Sequence, residues 1–67
     1  MSAEETIEAA ISAYGPQSLS DLIREVYIQT EGVERETAQG ITRKALSNLR
    51  KLGKIFLNED NFWELTS

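Results

Sequence analysis

Apolar residues recur at helical spacing in three separate stretches of the chain. In the first stretch, four positions follow the i, i+3, i+4, i+7 pattern of a helix with one buried face: Ile7, Ala10, Ile11 and Tyr14. Ser2, followed three residues later by Glu5, forms a capping-box pattern at the start. Gly15 and Pro16 are typical of a helix end. The pattern predicts a helix over about residues 3–14.

The second stretch repeats this spacing at four further positions: Leu22, Ile23, Val26 and Tyr27. Ser18 and Ser20 are rival N-caps for this helix, and Leu19 between them is expected to reach the core. Gly32 supplies a stop signal at the other end. We therefore predict a helix over about 20–31.

The third stretch is the longest and predicts a helix over about 35–52. Its expected buried stripe has five members, with Leu46 at the margin: Ala38, Ile41, Ala45, Leu49 and Leu52. Val33 is a candidate hydrophobic anchor before the first turn. Gly53 then closes the helix.

After Gly53 the period changes from 3.6 to 2, which predicts a β-hairpin with strands over 54–58 and 62–66. A three-residue loop of Glu59, Asp60 and Asn61 would place Asn58 opposite Phe62. Asn61 would then take the left-handed conformation that such loops require. In this register four apolar side chains share one face: Ile55, Leu57, Trp63 and Leu65.

The composition narrows the classes of function. The chain has 67 residues, 40% hydrophobic and 27% charged, which fits one small globular domain over 1–67. It contains no cysteine and no histidine, so disulfides, the usual zinc ligands, a thiolate nucleophile and the commonest general base are missing. The carboxylates are scattered over helix starts and a loop. We expect a protein without catalytic activity, metal or cofactor.

The same sequence contains no apolar run of the roughly 20 residues needed to cross a bilayer. Its first residues lack the basic and apolar regions of a signal peptide. A cytoplasmic location without a membrane partner is the expectation.

Charge is distributed unevenly along the chain. The net charge of −4 argues against non-specific binding to the phosphate backbone. However, six of the seven basic residues lie between positions 35 and 54, where Glu36 is the only acidic residue: Arg35, Arg43, Lys44, Arg50, Lys51 and Lys54. On a helical wheel, most of the cations of the third helix lie opposite its apolar stripe. An ordinary solvated face, with cations complementing the helix dipole, would look the same.

The order of these elements resembles the winged helix-turn-helix superfamily over nearly the whole chain. The segment ALSNLRKLGKI (45–55) carries most of the likeness, and the ending from Trp63 to Thr66 fits the wing of that superfamily. The resemblance implies an α+β winged-helix fold, with a three-helix bundle and a C-terminal β-hairpin wing. It also implies a small transcriptional regulator whose third helix enters the major groove of double-stranded DNA.

The resemblance further implies roles for individual residues. Five would face DNA: Thr37, Gln39, Arg43, Lys44 and Ser47. Arg43 suits a bidentate contact to guanine and Gln39 one to adenine. Lys44, Arg50, Lys51 and Lys54 suit phosphates. Arg35 at the helix start is a further candidate DNA-binding residue. Because one small monomer offers limited contact area, we lean toward a homodimer that reads two half-sites.

Gly40 lies near the middle of the same exposed arc, where a helix-interior glycine costs about 1 kcal/mol relative to alanine. It would permit close approach of a DNA backbone. Alternatively, the helix begins near Ile41, or the cost is simply tolerated.

The hairpin departs from the DNA-binding pattern, because its loop carries Glu59 and Asp60 where DNA-contacting wings carry Arg or Lys. The outer face would also expose Phe56 and Phe62, which suggests a partner surface. Both rings could instead be covered by the first helix or by a short strand near residues 17–19. The alternative function is therefore a protein-interaction module that uses the acidic helices or the outer hairpin face.

Overall fold

A computed structural model describes residues 2–66 as three helices followed by a two-stranded antiparallel hairpin, an α+β arrangement. The elements are α1 (Ala3–Tyr14), α2 (Leu19–Gln29), α3 (Arg35–Lys51), β1 (Ile55–Leu57) and β2 (Trp63–Leu65). In the described part of the chain no helix is long and apolar enough to span a membrane.

The predicted bounds of α1 are confirmed, because its capping box forms in full. The backbone N–H of Glu5 donates to the Ser2 hydroxyl at 3.2 Å, and the Ser2 N–H donates to Glu5 Oε1 at 3.0 Å. The hydrogen bond from the Ser2 backbone, with the hydroxyl contact second, lowers the pKa of the Glu5 carboxyl below its ordinary value. Gly15 closes the helix with a φ of 82°, and its N–H donates to the Ile11 carbonyl at 2.8 Å.

Of the two candidate N-caps of α2, Ser18 caps the helix. Its hydroxyl accepts a hydrogen bond from the Asp21 N–H at 3.1 Å. The helix therefore begins at Leu19, one residue before the predicted start, and Ser20 lies within the first turn. It ends at Gln29, where the prediction had 31, and the N–H of Thr30 donates to the Val26 carbonyl at 3.0 Å.

The buried face of α3 is rotated from the predicted stripe. The buried positions are Ala38, Thr42, Ala45, Leu46 and Leu49. Thr42 is the unexpected member, and its hydroxyl donates to the Ala38 carbonyl at 2.7 Å, so that no polar group is left unsatisfied there. The prediction that Leu52 is buried is wrong: the helix ends at Lys51, and Leu52 is 65% exposed.

The hairpin register is confirmed, but each strand is one residue shorter at both ends than the predicted 54–58 and 62–66. Ile55 pairs with Leu65, Phe56 with Glu64 and Leu57 with Trp63, while the Asn58 N–H donates to the Phe62 carbonyl at 2.8 Å. Asn61 has a φ of 64°, as its loop position requires.

The apolar face of the hairpin is covered along one diagonal, with one covered and one exposed residue in each end pair. Ile55 is buried and Trp63 is half-buried, but Leu57 and Leu65 remain exposed. The predicted short strand near residues 17–19 is reduced to one bridge, in which the Gln17 and Trp63 backbones exchange hydrogen bonds of 3.0 and 2.7 Å. This bridge connects the segment between α1 and α2 to β2.

The helices enclose a single core with Ile55 of the hairpin. Its buried apolar members are Ile7, Ala10, Ile11, Leu22, Val26, Ala38, Ala45, Leu46, Leu49 and Ile55. Leu19, Val33, Ile41 and Trp63 pack against it, as expected for Leu19. Two predicted core positions lie outside: Tyr14 is 71% exposed and Tyr27 is 39% exposed. Tyr14 is the last residue of α1, beyond the packed part of the helix, and Tyr27 sits at the margin of the apolar stripe of α2.

Candidate functional site

The ten residues predicted to contact DNA are all exposed in the structure: Arg35, Thr37, Gln39, Gly40, Arg43, Lys44, Ser47, Arg50, Lys51 and Lys54. All except Lys54 belong to α3, and Lys54 follows directly after it. Lys54 takes part in the helix end, where its N–H donates to the Leu49 carbonyl at 3.0 Å.

A continuous basic surface runs along the side of α3 that faces away from the core. We call this surface the basic arc, and it comprises Arg43, Lys44, Ser47, Arg50 and Lys51. At 100° per residue these five positions fall within roughly 120° of arc, opposite the buried face. Glu36 lies in the same angular range, nearer the start of the helix. The cations therefore concentrate over the last three turns of α3.

Gly40 lies within this arc and inside the helix, which begins five residues earlier at Arg35. The alternative that α3 starts near Ile41 is therefore wrong. A Cβ built at Gly40 meets no atom within 4 Å, so the position is open to solvent. The packing of this chain does not require glycine here.

Two predicted residues lie apart from the basic arc, in a groove between α2 and α3. The groove has a volume of about 400 Å³. Its lining residues are Ser20, Ile23, Arg24, Tyr27, Arg35 and Gln39. Arg35 reaches across it, with its Cζ atom 5.4 Å from the centre of the Tyr27 ring. The structure thus places Arg35 and Gln39 apart from the cations of the basic arc.

Arg24 is a basic residue that is not among the ten predicted DNA contacts. It is exposed on α2 and lines the same groove as Arg35 and Gln39. It is the only basic residue outside 35–54, so the clustering of positive charge along the sequence did not indicate it. The short turn between α2 and α3 could have predicted that Arg24 lies near α3, because such a turn brings exposed positions of the two helices side by side.

A second groove lies where α3, the start of α2 and β2 meet. We call it the arginine groove, and it has a volume of about 250 Å³. Its lining residues are Leu19, Arg43, Leu46, Ser47, Arg50 and Trp63. Leu46 is buried and Leu19 and Trp63 are half-buried, whereas Arg43, Ser47 and Arg50 are exposed. The groove therefore has an apolar floor with two guanidinium groups at its rim.

The outer face of the hairpin leaves Phe56 44% exposed and Phe62 42% exposed. Neither α1 nor the bridge at Gln17 covers them fully. At the end of the hairpin, the Asn58 side-chain oxygen accepts hydrogen bonds from the N–H groups of Asp60 and Phe62, at 2.8 and 3.0 Å. The Asn58 amide also donates to Glu64 Oε2 at 2.8 Å. The acidic loop is thus held in a defined shape.

Comparisons with protein-family models, with curated proteins and with solved structures found no match for this chain. Within residues 2–66, no group of three or more acidic side chains is placed to hold a metal ion.

Proposed function

We propose that this chain is a winged-helix DNA-binding protein, a transcriptional regulator that docks α3 in the major groove of double-stranded DNA. The observation that carries the proposal is the basic arc, in which four cations lie on one exposed side of one helix. An α-helix fits the width of the major groove, and its exposed side then meets bases and phosphates.

The residues of α3 divide into two kinds of contact in this proposal. Arg43 reads guanine and Gln39 adenine through bidentate hydrogen bonds. Lys44, Arg50, Lys51 and Lys54 bind phosphates, which position the helix without reading sequence. Arg24 lies in the groove between α2 and α3, apart from the basic arc, and has no DNA contact in this proposal.

Outside residues 35–54 the chain is acidic, with 10 of its 11 acidic residues and one of its 7 basic residues. Because the cations concentrate on α3, the protein has a charge asymmetry that would orient this helix toward DNA. Glu59 and Asp60 make the hairpin loop unsuited to the minor groove. The proposed contact therefore depends on α3 and not on the hairpin.

Titration of a mixed-sequence duplex at two salt concentrations tests the proposal. Four phosphate contacts imply a logarithmic slope of about −3.6, so affinity should fall about 150-fold between about 50 and 200 mM salt. The double variant Arg43→Gln, Lys51→Gln should bind much more weakly and with a smaller slope.

The matched control is Ser12→Glu, Gln29→Glu, which also lowers the net charge by two but on exposed positions of α1 and α2. It should bind almost as the wild type does. If wild-type protein shows no salt-dependent binding at about 50 mM salt, the DNA proposal is wrong.

A second function is favoured by the two exposed rings of the hairpin. Phe56 and Phe62 together form an aromatic surface that would suit a protein partner. Phe56→Ser and Phe62→Ser should then abolish partner capture while the domain stays folded. Unfolding of these variants would instead assign the rings to the stability of the fold.

A further inference from the structure

The arginine groove combines two chemical features that few surfaces of this molecule share. Arg43 and Arg50 stand two helical turns apart at its rim, and both are exposed. Leu46 and Trp63 form an apolar floor between α3 and β2. Guanidinium groups bind carboxylates by paired, charge-assisted hydrogen bonds. The groove therefore suits a segment that carries carboxylates next to an apolar side chain.

Such a segment is present in the same chain, at the end of the hairpin. We call it the hairpin tip (residues 58–62), and it presents Glu59 and Asp60 at exposed positions, followed by Phe62. The Asn58 side chain accepts hydrogen bonds from Asp60 and Phe62, so the tip is ordered before any partner binds. An ordered segment loses less conformational entropy on docking.

We propose that the arginine groove binds the hairpin tip of a second copy of this chain. Glu59 and Asp60 of one copy would meet Arg43 and Arg50 of the other, with Phe62 placed toward the apolar floor. Trp63 lines the groove and directly follows the tip, so groove and tip lie within roughly 10 Å of each other along the hairpin. A two-fold axis between two copies would let both tips dock reciprocally.

This dimer would use the surface that the proposed function assigns to DNA, since Arg43 and Arg50 also belong to the basic arc. Dimerisation and DNA binding would therefore exclude each other. Only this competition rests on the proposed function, because the dimer itself needs no DNA. The acidic residues of the hairpin loop are unfavourable near phosphates. In the dimer they would compete with DNA for the cations of α3.

Sedimentation equilibrium of the full chain at two salt concentrations provides the first test. A small and polar interface predicts a weak dimer, with a dissociation constant of about 10 to 1000 µM. Because the contact is between exposed charges, the constant should rise severalfold from about 50 to 200 mM salt. A chain that stays monomeric up to about 2 mM at the lower salt would overturn the proposal.

Charge reversal on each side of the contact supplies the decisive test. Glu59→Lys, Asp60→Lys sets a basic tip against a basic groove, and Arg43→Glu, Arg50→Glu sets an acidic tip against an acidic groove. Each variant alone should associate at least about tenfold more weakly than the wild type. An equimolar mixture should restore association, because each tip then meets a groove of opposite charge at both contacts.

Glu8→Lys, Glu31→Lys is the matched control for the tip variant, since it makes the same change in net charge on α1 and after α2. It should dimerise like the wild type. Circular dichroism and thermal unfolding verify that every variant is folded. The proposed contact would be overturned if the equimolar mixture failed to associate. It would also be overturned if each charge-reversal variant alone still dimerised as tightly as the wild type.

The same variants separate this inference from the DNA proposal. Glu59→Lys, Asp60→Lys leaves the basic arc intact, so it should bind duplex DNA at least as tightly as the wild type. DNA binding without any dimer would refute only the dimer. A dimer that obeys the charge reversal, in a chain that binds no DNA, would refute only the proposed function.

Discussion

The guanidinium group of Arg35 lies over the ring of Tyr27, 5.4 Å from its centre, and so connects the first turn of α3 to the last turns of α2. Such a contact is electrostatic, because the face of an aromatic ring carries negative charge. It joins two residues at the edges of the apolar stripes, both of which are exposed. The contact holds Arg35 at α2 and away from the basic arc.

We therefore predict that Arg35 contributes to stability more than to DNA binding. A double-mutant cycle with Tyr27→Leu and Arg35→Gln should give a coupling of about 0.5–1 kcal/mol in urea unfolding. In the DNA titration, Arg35→Gln should weaken binding less than Arg43→Gln does. A coupling near zero, or equal losses of affinity for the two arginine variants, would contradict this assignment.

Replacement of Gly40 by alanine should stabilise the domain. The added Cβ meets no neighbouring atom, and an alanine inside a helix is favoured over glycine by about 1 kcal/mol. Urea unfolding measures the gain, and Ser47→Ala on the same exposed side is the comparison, with a smaller expected gain of about 0.5 kcal/mol. A loss of stability would show that the backbone at Gly40 is not an ordinary helix.

The same Gly40→Ala variant also bears on DNA binding. A fall in affinity alongside the gain in stability would mean that the glycine permits close approach of a DNA backbone. Unchanged affinity would mean that its cost in the helix is simply tolerated.

The two serines at the start of α2 make a matched pair for testing the cap. Ser18→Ala removes the acceptor for the Asp21 N–H and should cost about 1 kcal/mol of unfolding free energy. Ser20→Ala, inside the first turn, should change stability by less than about 0.5 kcal/mol. Thermal or urea unfolding distinguishes the two. Equal effects would be inconsistent with Ser18 as the N-cap.

The capping box of α1 predicts a pH dependence. Because the Ser2 backbone N–H lowers the pKa of Glu5, the folded state favours the ionised carboxylate. That contribution is present above the ordinary glutamate pKa of about 4.3 and is lost as pH falls through the lower folded value. The stability difference between the wild type and Glu5→Gln should therefore shrink as pH falls from about 6 to 3.

Ser2→Ala is the informative control for this pH dependence. It removes the hydroxyl but keeps the backbone donor, which is the larger cause of the pKa shift. This variant should retain most of the pH-dependent difference. Urea unfolding at each pH makes the comparison, and a wild-type advantage that grows on acidification would refute the sign of the shift.

Local patterns in the sequence were sufficient for the elements and for the hairpin register. The capping box at Ser2 and Glu5 and the stop at Gly15 set both ends of α1, because these signals act through hydrogen bonds within a few residues. The alternation from Ile55 to Leu65 and the loop with Asn61 at φ 64° determined the register of the strands. The exposure of the five residues of the basic arc also followed from periodicity.

Tertiary packing determined the burial and the side-chain neighbours that periodicity alone did not predict. Thr42 is buried because the angle at which helices cross selects which edge of a stripe is covered. Tyr14 and Leu52 are exposed because they lie at the ends of α1 and α3. Arg35 is drawn to Tyr27, and Arg24 joins the groove between α2 and α3, only once the two helices are packed. The arginine groove brings Leu19, Arg43 and Trp63 together from three elements. Sequence spacing alone determines which side of a helix a residue occupies, whereas the neighbour that this side meets depends on contacts between residues far apart in the chain.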